Sequence, residues 1–251
     1  MSGHSKWSSI KHRKGAADSK RGQLFSKLSR AIIVAAKEGG PDPAGNLALQ
    51  NAIEKARSYS MPKDNIERAI AKGTGADADA ASFETVVYEG YGPDGVAVLV
   101  EAVTDNRNRT ASEVRHAFTK HGGNLGTTGA VAWQFERRGV VLVAAESADE
   151  DDLVLAAADA GADDVELDGS SFVVTSAPET LSTVREALAD AGYAVESVEL
   201  AMVPKTTVAV SDESTARRIV SLVEGLEDTE DVQDVYANFD IPEAVLEAVA
   251  S

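Results

Sequence analysis

The sequence predicts an α+β protein with an N-terminal three-helix domain and two βαββαβ domains, one inserted into the other. Three observations carry this. Apolar residues recur at helical spacing three times within residues 1–76, and from Phe83 the period becomes strand-like. One complete βαββαβ series then lies inside a second series that is split. A length of 251 residues suits two or three cores.

The first helix is expected over Asp18 to Glu38, because Leu24, Leu28, Ile32 and Ala35 share one face while Lys27, Arg30 and Lys37 fall on the other. Gly39-Gly40-Pro41 ends it. A second helix follows from Pro43 to Tyr59, with Leu49, Ile53 and Ala56 inward, and a third starts at Pro62 and carries Ile66, Ala69 and Ile70. Gly73 to Ala81 breaks the pattern.

Val86 to Tyr88, the Gly92-Pro93-Asp94-Gly95 turn and Val96 to Val103 read as a hairpin. Thr110 with Glu113 predicts a helix start, Gly122-Gly123 its end, and Ala130 to Phe135 a third strand. Next come a strand over Val140 to Ala144, a helix capped by Ser147 and Glu150, and a hairpin across Asp168-Gly169. A helix capped by Ser176 and Glu179 and a strand from Ala194 to Val203 complete the unit. Thr206 to Val210, a helix from Ser211 to Gly225 and Val232 to Ala237 supply only half of another. The expected boundaries are therefore 1–76 for the helical domain, 82–138 with 204–240 for a discontinuous ferredoxin-like domain, and 139–203 for the inserted one.

Charge divides the chain. Residues 1–76 carry +8 and the remainder −25. From Gly3 to Arg30, eight Lys and Arg face the single acid Asp18. Such a cluster repels itself unless a polyanion neutralises it, and a nucleic-acid backbone is the simplest one. Lys6, Trp7, Lys11, His12, Arg13, Lys14, Lys20, Arg21, Lys27 and Arg30 are the candidate contacts. Trp7 either stacks on an unpaired base or staples the arm to the helices. The alternative for the whole arm is a solvated tail. Beyond Val140 only Arg185, Lys205, Arg217 and Arg218 are basic, so that acidic part is not expected to be the docking surface.

Asp105, Asn106, Arg107, Asn108 and Arg109 form a second polar candidate, placed before a helix N-terminus where N–H groups favour anions; ordinary turn and charge-pair roles stand beside that reading. The glycine-rich run from Gly122 to Gly129 lacks the Gly-Lys-Ser/Thr ending of a phosphate loop and reads as a turn. His4, His12, His116 and His121 show no zinc spacing, so neither metal nor cofactor is expected. No nucleophile or kinase signature appears, and no enzymatic activity is expected. The inserted unit offers only Phe172 and Tyr193 as aromatics, too few for an RNA-stacking sheet.

Zero cysteines suit a reducing compartment. The chain start lacks the apolar core of a signal peptide, and the longest apolar run, Ala31 to Ala36, is too short to span a bilayer, so a cytoplasmic location is expected.

The stretches GHSKWSSIKHRKGAADSKRGQLFSKLSRAI, TDNRNRTASEVR and GGNLGTTGAVAWQF resemble the YebC/PmpR family, which includes the mitochondrial translational activator of cytochrome oxidase. The resemblance covers essentially the whole chain. It implies a three-domain protein with a helical N-terminal domain and two ferredoxin-like domains, one inserted, and no accepted catalytic residues. Family members are described as cytoplasmic DNA-binding transcriptional regulators, and some as ribosome-associated translation factors. The typical arm has Lys where Gln23 stands here. The expected function is thus DNA-binding regulation of transcription. The alternatives are a translation factor that binds ribosomal RNA and relieves stalled elongation, and a protein-binding module whose acidic domain holds a basic partner.

Overall fold

The computed structural model describes residues 18–75 and 83–250. The chain divides into two compact units, Gly15–Ala132 with Ser214–Val235, and Trp133–Glu213 with Tyr236–Ser251.

In the first unit, helix α1 spans Asp18–Gly39, α2 Leu47–Ser58 and α3 Lys63–Thr74. Leu28, Ile32, Leu49, Ile53, Ile66 and Ala69 meet in one core, with Leu24 partly buried against it. This is the face that the helical spacing selects. Gly40, at φ +88°, closes α1 in the left-handed region. The second helix starts at Leu47 rather than Pro43, because Asn46 is its cap. The Asn46 carboxamide oxygen accepts from Leu49 N at 3.1 Å while its Nδ2 donates to Ala35 O and Gly40 O at 2.8 and 2.9 Å. One side chain thereby joins the end of α1 to the start of α2. At Gly73 a Cβ would collide with the carbonyl oxygen of Ile33, so glycine sets how closely α3 approaches α1.

Strands β1 (Glu84–Tyr91) and β2 (Ala97–Thr104) form the expected antiparallel hairpin, with Asp94 and Gly95 at positive φ in the turn. Helix α4 covers Arg107–Lys120, starting before the predicted Thr110 because Asn106 is its cap. The strand that follows is Asn124–Leu125 (β3), pairing with β1 through Gly90↔Leu125. The strand expected over Ala130 to Phe135 does not form before Phe135, which opens the next strand: Ala132–Gln134 is a 3-10 turn, and the N–H groups of Gly129, Val131 and Ala132 go to Glu89 instead of a ladder.

The second unit contains β4 (Phe135–Ala144), α5 (Glu150–Asp159), β5 (Ala162–Asp168), β6 (Ser171–Ser176), α6 (Leu181–Asp190) and β7 (Val195–Pro204). Its sheet order, β5-β6-β4-β7, is ferredoxin-like. Val141, Val143, Phe172 and Val174 from the strands pack on Leu153, Ala157, Val184 and Leu188 from the helices. Phe172 is thus core and not a stacking platform. The caps differ from expectation. Asp149 caps α5 by accepting from Asp151 N and Asp152 N at 3.1 and 3.3 Å, while Ser147 closes a short turn and donates to Ala144 O. Ser176 ends β6, so α6 begins later, at Leu181, with no side-chain cap.

The stretch predicted as a strand over Thr206 to Val210 shortens to β8 (Val208–Ala209), which pairs in parallel with β10 (Phe239–Asp240). Helix α7 is Glu213–Glu227, and β9 (Val232–Ala237) lies beside β2 in the order β3-β1-β2-β9. That sheet therefore draws strands from both sides of residues 135–204. Helix α8, Glu243–Ala250, ends the described chain.

Candidate nucleic-acid interface

Lys6, Trp7, Lys11, His12, Arg13 and Lys14 lie outside the described residues. Lys20 and Arg21 stand near the start of α1. Lys27 and Arg30, further along that helix, serve the fold of their own unit. The ammonium of Lys27 donates to the carbonyl of Glu227, the last residue of α7. A cation suits a helix C-terminus, where unpaired carbonyls concentrate negative potential. Arg30 donates to Glu230 O at 2.7 Å, pairs with the Glu230 carboxylate, and reaches Asp231 Oδ1 at 3.4 Å, with its guanidinium 6.0 Å from the Phe83 ring centre. Its side chain is only 14% exposed.

Asp231 is the centre of the second polar candidate. It is buried at the start of β9 and accepts from Thr104 Oγ1 at 3.1 Å and from Thr110 Oγ1 and Arg109 Nη2 at 2.7 Å each. Burial pushes the Asp231 carboxyl up, but the hydrogen bonds from Arg109 and Thr110, the Arg109 charge and the Thr104 hydroxyl together hold it below its ordinary value. Arg109 is raised in turn, by Asp231 first and Asp105 second. Asp105 and Arg109 pair at 2.8 Å, Arg107 pairs with Glu84 at 2.6 Å, and Asn106 caps α4 by accepting from Arg109 N at 3.1 Å. Asn108 is exposed. The loop is brought together, and both of its guanidinium groups are matched by carboxylates of the same unit. Sequence reasoning missed Asp231, which looks like any acid in the run Glu227 to Asp231.

The glycine-rich loop holds an anion, and that anion is the chain's own. Glu89 is buried, and its carboxylate accepts from Gly129 N, Val131 N and Ala132 N at 2.6, 2.8 and 2.7 Å. Burial pushes its carboxyl up, and the three backbone N–H groups more than offset that, leaving it below its ordinary value. The run Gly122 to Gly129 is not a single turn: Asn124–Leu125 forms β3 against β1, and only Gly129 at its end joins Val131 and Ala132 in holding the Glu89 carboxylate.

His121 is pushed down by burial, then by Lys120 and His116. Among the described residues no group of three or more His, Asp or Glu is placed to hold a metal ion, and no helix is long and apolar enough to cross a membrane.

Comparison with known proteins gives consistent matches. A family profile described as the TACO1/YebC protein N-terminal domain matches residues 5–76, and one described as the TACO1/YebC second and third domain matches residues 83–239. A Rubrobacter xylanophilus protein described as a probable transcriptional regulatory protein is 57% identical over 250 residues, covering 100% of both chains. A Salinispora arenicola protein of the same description is 52% identical across 98% of each. The crystal structure of a conserved hypothetical protein from Aquifex aeolicus is similar with a TM-score of 0.81 at 49% identity, over 90% of this chain and 93% of that one.

Proposed function

The chain belongs to the TACO1/YebC family, and from that premise we propose that it is a non-enzymatic regulator of gene expression that binds DNA through its basic N-terminal arm. The observation that carries the proposal is the reversal of charge: eight Lys and Arg against one acid from Gly3 to Arg30, in a chain of net charge −17. Lys27 and Arg30 serve the fold, so the contacts rest on Lys6, Lys11, Arg13, Lys14, Lys20 and Arg21. Their spacing suits following a phosphate backbone. Relatives named as probable transcriptional regulatory proteins support a regulatory role.

Changing Lys11, Arg13 and Lys14 together to Ala should weaken binding to duplex DNA. The slope of log affinity against log salt should fall by about 2 to 3 units, near 0.9 for each phosphate no longer neutralised. Unchanged affinity and slope would rule out the arm as the docking surface. A second reading, a translation factor on ribosomal RNA, takes its support from Trp7, because an indole among Lys6, His12 and Arg13 that stacks on a base, rather than stapling the arm, needs that base unpaired. Polysome fractionation beside genome-wide DNA crosslinking separates the two. Residence in neither fraction would favour a protein partner for the acidic domain.

A further inference from the structure

We propose that the outer face of helix α5 in the second unit is a docking surface for a basic amphipathic helix of a protein partner. It uses none of the residues of the basic arm, so this surface and the nucleic-acid reading can fail separately.

Helix α5 is apolar on both of its sides. After Glu150, Asp151 and Asp152 come six consecutive apolar residues, Leu153 to Ala158. Leu153 and Ala157 are buried in the core, with Ala156 partly buried against it. Val154, Leu155 and Ala158 are exposed, Leu155 to 66% and Val154 to 41%. A surface helix ordinarily turns a polar face to water, and one that is apolar all round is covered. The other helix of this unit obeys that rule, since α6 presents Thr183, Glu186 and Asp190 to solvent. Leu167, 46% exposed, lies on β5, the strand that α5 packs against. It stands opposite Phe172, which puts it on the helix side of the sheet.

The charge around this face selects its occupant. From Gly139 to Val184 there are eleven Asp and Glu and no Lys, Arg or His. Glu150, Asp151 and Asp152 complement the positive N-terminal end of α5, but Asp159 sits in its last turn, where free carbonyls already concentrate negative potential and no basic residue offsets it. Asp164 and Glu166 on β5 are exposed as well. A partner with Lys and Arg beside its apolar stripe would relieve this repulsion, whereas the same face of a second copy would double it. An added strand is disfavoured too. Strand β5 is at the sheet edge, and its Asp163, Asp164 and Glu166, with the register shift between Ala162 and Asp164, are the devices that keep edges from pairing. A helix laid across α5 needs no sheet hydrogen bonds, and Val154, Leu155 and Ala158 have the three- and four-residue spacing of a ridge that helix-on-helix packing uses.

The test titrates the full chain with a synthetic amphipathic Leu/Lys peptide of about fourteen residues, roughly four helical turns. A peptide of the same composition, scrambled to remove the stripe, is the control. The striped peptide should bind, and the scrambled one should bind at least about 10-fold more weakly. Leu155→Ser should weaken striped-peptide binding by about 10- to 150-fold, the range for one Leu side chain left uncovered, and Leu155→Met should retain it. Unchanged thermal melting of the Leu155→Ser protein would exclude loss of the fold as the cause. Asp151→Asn with Asp159→Asn should weaken binding by about 2- to 5-fold for each ion pair removed and flatten its dependence on salt. Equal affinity for the two peptides, or unchanged affinity in Leu155→Ser, would overturn the proposal. So would sedimentation of the protein alone as a dimer that Leu155→Ser dissociates, since the occupant would then be a second copy. The variant changed at Lys11, Arg13 and Lys14 should bind the peptide as the natural protein does, which separates this outcome from that of the arm.

Discussion

Two buried carboxylates organise the first unit, and neither is marked by any motif. Asp231 collects two threonine hydroxyls and Arg109, with Arg30 behind it; Glu89 collects three backbone N–H groups. Each is held below its ordinary pKa despite burial, which fixes the sign of its pH dependence. The unfolded chain takes up protons at a higher pH than the folded one. The stabilisation is therefore complete above the unfolded carboxylate value, about 3.9 for Asp, and is lost as pH falls through the lower folded value. Asp231→Asn keeps the shape and removes the charge. It should cost about 1 to 3 kcal/mol in urea unfolding at pH 7, toward the low end because Arg109 is half exposed and its pairing is screened. The gap to the natural protein should narrow steadily between pH 5 and pH 2.5, on the order of the unfolded carboxylate value and below. A gap that stays constant over that interval would mean that Asp231 contributes packing rather than charge.

Elements are legible where one periodicity governs them and obscure where a distant side chain intervenes. Leu28, Ile32, Leu49, Ile53 and Ile66 lie in the core as their spacing requires, and the βαββαβ order of the inserted unit appears element by element. The strand expected over Ala130 to Phe135 reads as a short apolar run, yet Glu89, some forty residues earlier, takes the N–H groups a ladder would need. Asn46 displaces the start of α2 in the same way. Trp133 reads as a strand residue for the same reason, and its neighbours in sequence give no sign of its exposure. Close packing of α1 and α3 depends on Gly73, and here propensity and packing oppose each other. Gly73→Ala gains about 1 kcal/mol of helix propensity but forces a methyl group against the Ile33 carbonyl. Overpacking of a tight helix contact costs about 1 to 3 kcal/mol, so the net effect should be a lower melting temperature, read by circular dichroism at 222 nm, roughly the α-helix minimum. An unchanged or higher melting temperature would show that α3 slides outward freely.

At the scale of the whole molecule, the chain crosses into the inserted unit at β4 and out of it at β7, and the ladder holds Phe135 opposite Pro204. Strand β9 lies beside β2 at the edge of the first sheet. This arrangement dictates how the chain bears tension. A pull on the two ends of the polypeptide loads the pairings of the C-terminal segment, β10 with β8 and β9 with β2, before the loop between Phe135 and Pro204, whose two ends the β4/β7 ladder already holds together. In an optical trap the contour length should therefore be released in a fixed order: the outer sheet gives way first, and the loop between Phe135 and Pro204 opens only afterwards. Release of the inserted unit before the outer sheet, in repeated pulls, would show that β9 does not act as the clasp. A chain wired in this way keeps the sheet of β4 to β7 closed while its two ends are under load.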